Sequence, residues 1–260
     1  MSNQTHLIYN PGNESLFSRD QINAMPVPAA LGPRHNPYPF GSYLNDIEES
    51  LDINGLEIVR QEYAIDQEGN SLFGLMEVAP LEGELISAKD WSLLVGVRGS
   101  HNQRISRGLT LGSRVMVCSN LCFHGDLGTF HTKQTLNIAS RLPALIRGAV
   151  ERIPQLAHQQ EKRFDTYKEH EFNNSRHGDA ALIEIVRRGG LTGAQLSKAV
   201  IEWDNPSHEE HAANGFSAWR LLQACTEAVK PGGQNVNMAT IQDRTQITSK
   251  FLDEVTGINF

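Results

Sequence analysis

The sequence predicts an α+β fold, in which an antiparallel β-sheet and a long helix are followed by a mostly helical C-terminal part. Between residues 56 and 132, apolar segments of strand length are separated by polar turns. After Thr135 the apolar residues recur every three or four positions, which is the period of a helix. Strands that precede the helices along the chain, rather than alternating with them, are typical of α+β proteins.

The predicted sheet has four or five antiparallel strands. The first two flank the polar turn 66–70 and form a β-hairpin. The third, which starts at Trp91, is apolar enough to lie in the middle of the sheet. The expected strands are 56–65, 71–78, 91–97, 109–118 and 129–132.

The long predicted helix covers about 136–172, and Pro143 and Pro154 are expected to kink or break it because proline lacks a backbone donor. Shorter helices begin where Ser or Thr can accept hydrogen bonds from the first turn, and Thr192 with Gln195 forms a capping box. The other expected helices are a short one after Ser18, 44–51, 180–188, 196–203, one turn after Ser207, 219–229 after the cap Ser217, and 239–255.

The expected organisation is an irregular N-terminal arm (1–45), a β-rich core with the long helix (46–172) and a helical C-terminal subdomain (173–260), or one continuous domain. No apolar run reaches the roughly 18 to 20 residues of a membrane helix. The first residues do not have the pattern of a signal peptide. Three cysteines are too few for a disulfide framework. We therefore expect a cytoplasmic protein without a membrane partner.

Positive charge is concentrated in one part of the chain. The whole chain carries −7, but residues 91–148 contain seven basic residues and one acid, Asp126. That segment is therefore +6 and the remainder −13. Such asymmetry indicates an anion-binding surface, unless the arginines pair with acids from elsewhere in the fold. The basic residues are Arg98, Arg104, Arg107, Arg114, Lys133, Arg141 and Arg147.

The same segment holds the side chains most suited to chemistry, in the motifs V-G-V-R-G-S-H-N (95–102), V-M-V-C-S-N-L-C-F-H (115–124) and F-H-T-K (130–133). One interpretation is a zinc site, since thiolates and imidazoles are zinc ligands, although this spacing matches no standard zinc motif. Zinc is the one cofactor that the sequence suggests. The candidate ligands are Cys118, Cys122, His124 and His131.

Two other interpretations use the same residues. A thiol nucleophile would be Cys118, with His131 or His101 as its general base. Asn120 would orient that base. Alternatively, Cys118 and Cys122 are small buried core residues and the histidines are hydrogen-bonded within the fold, which the residue types favour.

Several of these motifs resemble an uncharacterised family encoded by phages and plasmids, the domain of unknown function 932. The resemblance spans about 40–230. The sequence departs from the family pattern at Leu121 and Arg220, where the family has glycine. The resemblance implies a phage or mobile-element setting in a bacterial host cell, among replication and recombination functions. It implies no established activity. The motifs are G-V-R-G-S-H-N (96–102), V-M-V-C-S-N-L-C (115–122), F-H-T (130–132) and A-W-R-L-L-Q-A-C-T-E (218–227).

We expect from these features a nucleic-acid-associated accessory protein that binds or anneals single strands. Basic side chains would contact the phosphates and aromatic rings would stack on bases. The alternatives are an enzyme that uses Cys118 and His131, with metal or thiol chemistry, and a binder that inhibits a host protein. A homo-oligomer is compatible with each of these. The candidate nucleic-acid contacts are Arg98, Arg104, Arg107, Arg114, Lys133, Phe123 and Phe130.

Overall fold

A computed structural model describes residues 7–8, 14–80, 91–115, 121–123, 130–230 and 238–259. For residues 14–15, 114–115, 121–123 and 238–239 it describes the backbone alone. The fold is α+β, as predicted: an antiparallel sheet with helices in the N-terminal part is followed by a helical C-terminal part.

The sheet follows the chain order from β1 to β6, and β7 pairs with β5 beside β6. Each described pairing is antiparallel. The predicted hairpin and central strand are confirmed. The strands are β1 (Glu14–Phe17), β2 (Leu56–Asp66), β3 (Ser71–Pro80), β4 (Trp91–Ser100), β5 (Arg107–Val115), β6 (Leu121–Phe123) and β7 (Phe130–Thr132).

The helices begin largely where the sequence places them. The side chains of Ser18, Thr192 and Ser217 accept hydrogen bonds from the first turns of α1, α6 and α8. The helices are α1 (Arg19–Asn23), α2 (Phe40–Ile53), α3 (Ile138–Val150), α4 (Ile153–Glu169), α5 (Ser175–Arg187), α6 (Gly193–Asp204), α7 (Glu209–Ala212), α8 (Ala218–Val229) and α9 (Met238–Thr256).

The long helix and the arm differ in detail from the prediction. The helix is divided into α3 and α4, and Pro154 stands in the first turn of α4, where a missing N–H is tolerated. Pro143 lies inside α3 without ending it. The arm is less irregular than expected, because β1 joins the sheet as its edge strand next to β2.

Both faces of the sheet are buried. Residues 72–76 of β3 and 94–97 of β4 are buried without interruption, so neighbouring side chains on opposite faces are both covered. One face, with Val97 and Leu109, packs against α2, α3 and the start of α4; we call this the arm-side cluster. The other face, with Trp91, packs against the C-terminal helices and forms the C-terminal cluster.

Three aromatic rings connect the sheet to the C-terminal helices. Trp91 at the start of β4 meets Phe164 of α4 edge to face, with ring centroids 5.3 Å apart. Phe164 in turn meets Trp219 of α8 at 4.6 Å. Trp219 is 3% exposed. Such contacts between aromatic rings add to the hydrophobic stabilisation of the buried area.

We predict that Trp219→Ala lowers the free energy of unfolding by about 3–5 kcal/mol, because it empties a buried aromatic position. Denaturant unfolding followed by circular dichroism measures the change. The matched control is Ile201→Ala on α6, where the side chain is 65% exposed and the expected change is within about 0.5 kcal/mol. A Trp219→Ala variant as stable as this control would contradict the packing role of α8.

Candidate nucleic-acid interface

Arg107, the first residue of β5, lies on the arm-side face and is completely buried. Its Nη2 donates to the carbonyl of Tyr38 and to Oε1 of Gln134 at 3.2 Å. Its guanidinium carbon lies 5.0 Å from the ring centre of Phe40 and 4.9 Å from that of Tyr43, within the range of cation–π attraction. The sequence-based expectation that Arg107 contacts nucleic acid is therefore wrong, because its guanidinium is enclosed within the fold.

Burial of Arg107 is unfavourable for its charge, and the surroundings compensate in part. Burial lowers the pKa of Arg107 to about 10, opposed by the nearby Tyr43, Tyr38 and Asp46. The guanidinium therefore stays charged near neutral pH. Its Nε and Nη1 find no hydrogen-bond partner among the described residues, and each unmade bond costs about 1–3 kcal/mol. A Cβ at Gly99 would lie 2.8 Å from Cγ of Arg107, so a glycine makes room for this side chain.

His101, in the turn between β4 and β5, is buried beside Arg107. Its ring lies 4.0 Å from that of Phe40, centre to centre. The pKa of His101 is lowered to about 4, chiefly by burial; the charge of Arg107 and the neighbouring His35 act in the same direction, against a hydrogen bond with Gln134. His101 is therefore neutral at neutral pH and is packed in the core, and its Nδ1 has no hydrogen-bond partner among the described residues.

Gln134 joins three segments that are distant in sequence. Its Oε1 accepts from the backbone N–H of Tyr38 in the arm at 2.7 Å, and its Nε2 donates to the carbonyl of Ser100 at the end of β4. Beside it, His35 and Thr135 form an isolated β-bridge. The arm, the turn 101–106 and the loop between β7 and α3 therefore form one continuous junction.

Four basic and two apolar side chains are exposed at or next to this junction, beside the uncharged Gln103, Thr135 and Asn137, and we call these six the arm–loop surface. The chain has no acidic residue from 130 to 150. None of the four cations lies within ion-pair distance of a described acid. Acids lie near this junction: Asp46 of α2 accepts a hydrogen bond from the hydroxyl of Tyr38 at 2.8 Å, and Glu49 lies close enough to Asp46 to raise its pKa. In the β2–β3 turn, Glu68 accepts from Asn70, whose carbonyl accepts from the N–H of His101. The surface consists of the cations Arg34, Arg104, Lys133 and Arg141 and the apolar Leu31 and Leu136.

The other predicted contacts lie elsewhere. Nη1 of Arg98 lies 3.7 Å from Asp243 and 3.4 Å from Gln242, both on α9, so this cation is paired within the fold. Phe130 is half-buried and packs against the arm-side cluster. The side chains of Arg114 and Phe123 lie outside the described residues. Arg104 and Lys133 are the predicted phosphate contacts that are exposed.

The two candidate general bases lie on opposite faces of the sheet. His131 is exposed on β7 and pairs with Gly108, whose own partner on β4 is Arg98. A Cβ at Gly108 would lie 2.7 Å from Nδ1 of His131, so the imidazole lies over this glycine. Burial and then Arg98 lower the pKa of His131. His101 packs on Phe40 on the arm-side face, so one nucleophile could use only one of the two histidines.

The thiol and zinc hypotheses stay predictions. Cys118, Asn120 and His124, together with the side chain of Cys122, lie outside the described residues. Within the described ranges, no group of three or more His, Cys, Asp or Glu side chains could hold a metal ion. The cysteine whose side chain is described, Cys225, is buried in α8, and burial raises the pKa of its thiol.

In comparisons with known proteins, no family model, curated protein or solved structure matches the chain. The resemblance to the domain of unknown function 932 family therefore stays a prediction. Among the described helices, none is long and apolar enough to cross a membrane.

The sequence did not identify the arm as part of the surface. Arg34 and Leu31 lie in a Pro- and Gly-rich segment whose composition indicates only a loop. Their position depends on the bridge between His35 and Thr135, which no local pattern encodes. The acid-free run from 130 to 150 was the available signal for Lys133 and Arg141.

We predict that Arg107→Ala lowers the free energy of unfolding by about 2–4 kcal/mol, since it leaves a cavity and removes donors from Tyr38 and Gln134. Arg107→Met is expected to lose less, because an apolar side chain fills much of the volume without a buried charge. Denaturant unfolding gives both values, and limited proteolysis reports release of the arm. Equal stability of Arg107→Ala and the unmodified protein would show that Arg107 does not hold the arm against the sheet.

The low pKa of His101 predicts a pH dependence of stability. The folded-state pKa of His101, about 4, lies below the ordinary 6.5. Between these two pH values the unfolded chain binds a proton at His101 and the folded chain does not. The free energy of unfolding should therefore fall as the pH decreases from 6.5 towards 4. Above pH 6.5 the imidazole of His101 is neutral in both states, and the full stability is present. His211, with a pKa also lowered to about 4 by burial, acts in the same direction.

His101→Gln should make that fall with pH less steep, and His211 would account for a remaining part. Denaturant unfolding in buffers between about pH 7 and pH 4.5 measures the slope. Identical slopes for His101→Gln and the unmodified protein would show that His101 binds protons equally in both states.

Proposed function

We propose that the protein binds nucleic acid through the phosphate backbone, with the arm–loop surface as its contact. The observation that carries this proposal is the group of four exposed cations, Arg34, Arg104, Lys133 and Arg141, at a junction where no described acid pairs with them. Such a surface attracts the phosphate backbone of nucleic acid, because each contact between a cation and a phosphate releases condensed counterions.

The charge distribution of the whole chain supports a confined contact. The protein carries −7 overall, and Asp46, Glu49 and Glu68 lie near the surface. A polyanion is therefore attracted at the junction and repelled by much of the remaining surface. This arrangement favours binding in one orientation over general adhesion to nucleic acid.

The biological setting that we propose is that of an accessory protein in phage or mobile-element replication or recombination. It rests on the sequence resemblance to the domain of unknown function 932 family. The contact residues rest on the arm–loop surface and are independent of that resemblance. The enzyme and the host-protein binder receive no comparable support from the described residues.

We predict that affinity for an oligonucleotide falls with salt with a log–log slope of about −3, since four cations each contribute about 0.7 on a single strand. Arg34→Ala combined with Lys133→Ala should reduce the slope by about half and weaken binding. Fluorescence anisotropy of labelled single strands and duplexes, measured from low to physiological salt, gives these values.

The matched control is Arg176→Ala combined with Lys250→Ala, which removes two exposed cations from α5 and α9. It changes the net charge by the same amount and should leave the slope unchanged. Equal effects of the two double variants would mean that net charge, and not the arm–loop surface, governs binding. Absence of binding to every nucleic acid at low salt would exclude the proposed function.

A further inference from the structure

Two large apolar side chains are exposed within the arm–loop surface. Leu31 is 65% exposed and Leu136 is 60% exposed. The backbone N–H of Leu31 donates to Nδ1 of His35 at 2.9 Å, and the carbonyl of Leu136 accepts from the side chain of Asn36 at 3.3 Å. Both leucines are therefore fixed on the same junction by the arm.

These leucines lie close to two of the cations, Arg34 and Lys133, along the backbone. Arg34 precedes His35, which bridges to Thr135, and Thr135 lies between Lys133 and Leu136 along the chain. The junction therefore presents apolar and positively charged side chains together. Scattered exposed leucines need no explanation, but two leucines on the same junction as unpaired cations suit a ligand that has both apolar and anionic parts.

We propose that Leu31 and Leu136 contact unstacked bases and make the arm–loop surface selective for single-stranded nucleic acid. This inference rests on the proposed function and adds the form of the ligand. The bases of a single strand are open on their faces, whereas a duplex offers apolar side chains a base face only after a step has been unstacked. The cations Arg34 and Lys133 contact the phosphates of both single strands and duplexes. The difference in affinity between the two forms therefore depends on the leucines.

An anionic membrane is a different ligand with the same two chemical parts. A bilayer would take up apolar side chains at its boundary and attract the cations to its headgroups. The arm–loop surface offers two exposed leucines. Two acids of α2 lie near it, since Asp46 accepts a hydrogen bond from Tyr38 and Glu49 lies close enough to Asp46 to raise its pKa. A flat, negatively charged membrane would meet these acids together with the cations, whereas a single strand can follow the basic junction alone.

The test is Leu31→Ala combined with Leu136→Ala, in the full chain. The unmodified protein should bind a labelled oligothymidine at least about tenfold more tightly than a duplex of equal length, which corresponds to 1.4 kcal/mol. The double variant should lose most of this preference by weakening only the single-strand affinity. Its salt slope should stay that of the unmodified protein, because no phosphate contact is removed.

The matched control is Ile183→Ala combined with Ile201→Ala, which removes two exposed apolar side chains from α5 and α6, where they are 45% and 65% exposed. It should keep the single-strand preference. Circular dichroism and denaturant unfolding establish that both double variants fold. A third ligand, vesicles of phosphatidylserine and phosphatidylcholine, is measured by co-sedimentation at the same salt.

The inference is overturned if single strands and duplexes bind equally to the unmodified protein, or if the leucine variant keeps its single-strand affinity. It is also overturned if the leucine variant loses vesicle binding while nucleic-acid binding is unchanged. Each of these results leaves salt-dependent nucleic-acid binding intact and so separates this inference from the proposed function. Absence of any nucleic-acid binding removes both.

Discussion

The sheet is apolar on both faces, and the rest of the fold is arranged to cover it. A sheet of this kind must be packed against a layer on each side, because an exposed apolar face would remain in contact with water. The C-terminal helices cover the face that includes Trp91, through Phe164 and Trp219. The arm, α2 and α3 cover the other face. The arm is therefore a structural layer of the protein.

The position of the arm depends on Arg107 and Gln134. Arg107 is a buried cation enclosed by the rings of Tyr38, Phe40 and Tyr43, all of which lie in or next to the arm. Two of its nitrogen atoms remain without a described hydrogen-bond partner, so the junction combines strong attraction with a substantial desolvation cost. A change at Arg107 should therefore alter the arm–loop surface, although the side chain of Arg107 is itself buried.

The basic segment thus serves two physical purposes. Arg107 and Arg98 act within the fold, one against aromatic rings and the other beside Asp243. Arg104 and Lys133 face solvent. Net charge along the sequence does not separate these cases, because strand alternation and the partner elements decide which side chains are buried. The proposed interface consists of the exposed cations together with two leucines.

The sequence alone determined the α+β order, the hairpin and the capped helices, because periodicity, turns and capping residues act over a few positions. It also located the positive charge. Only the tertiary structure decided that Arg107 is buried and that His101 and His131 lie on opposite faces of the sheet. It also decided that the segments of Arg34 and Lys133 lie next to each other. These outcomes depend on pairing between distant segments, on the face that each strand residue takes, and on the bridge of His35 with the loop before α3. Local sequence patterns carry no information about such long-range contacts.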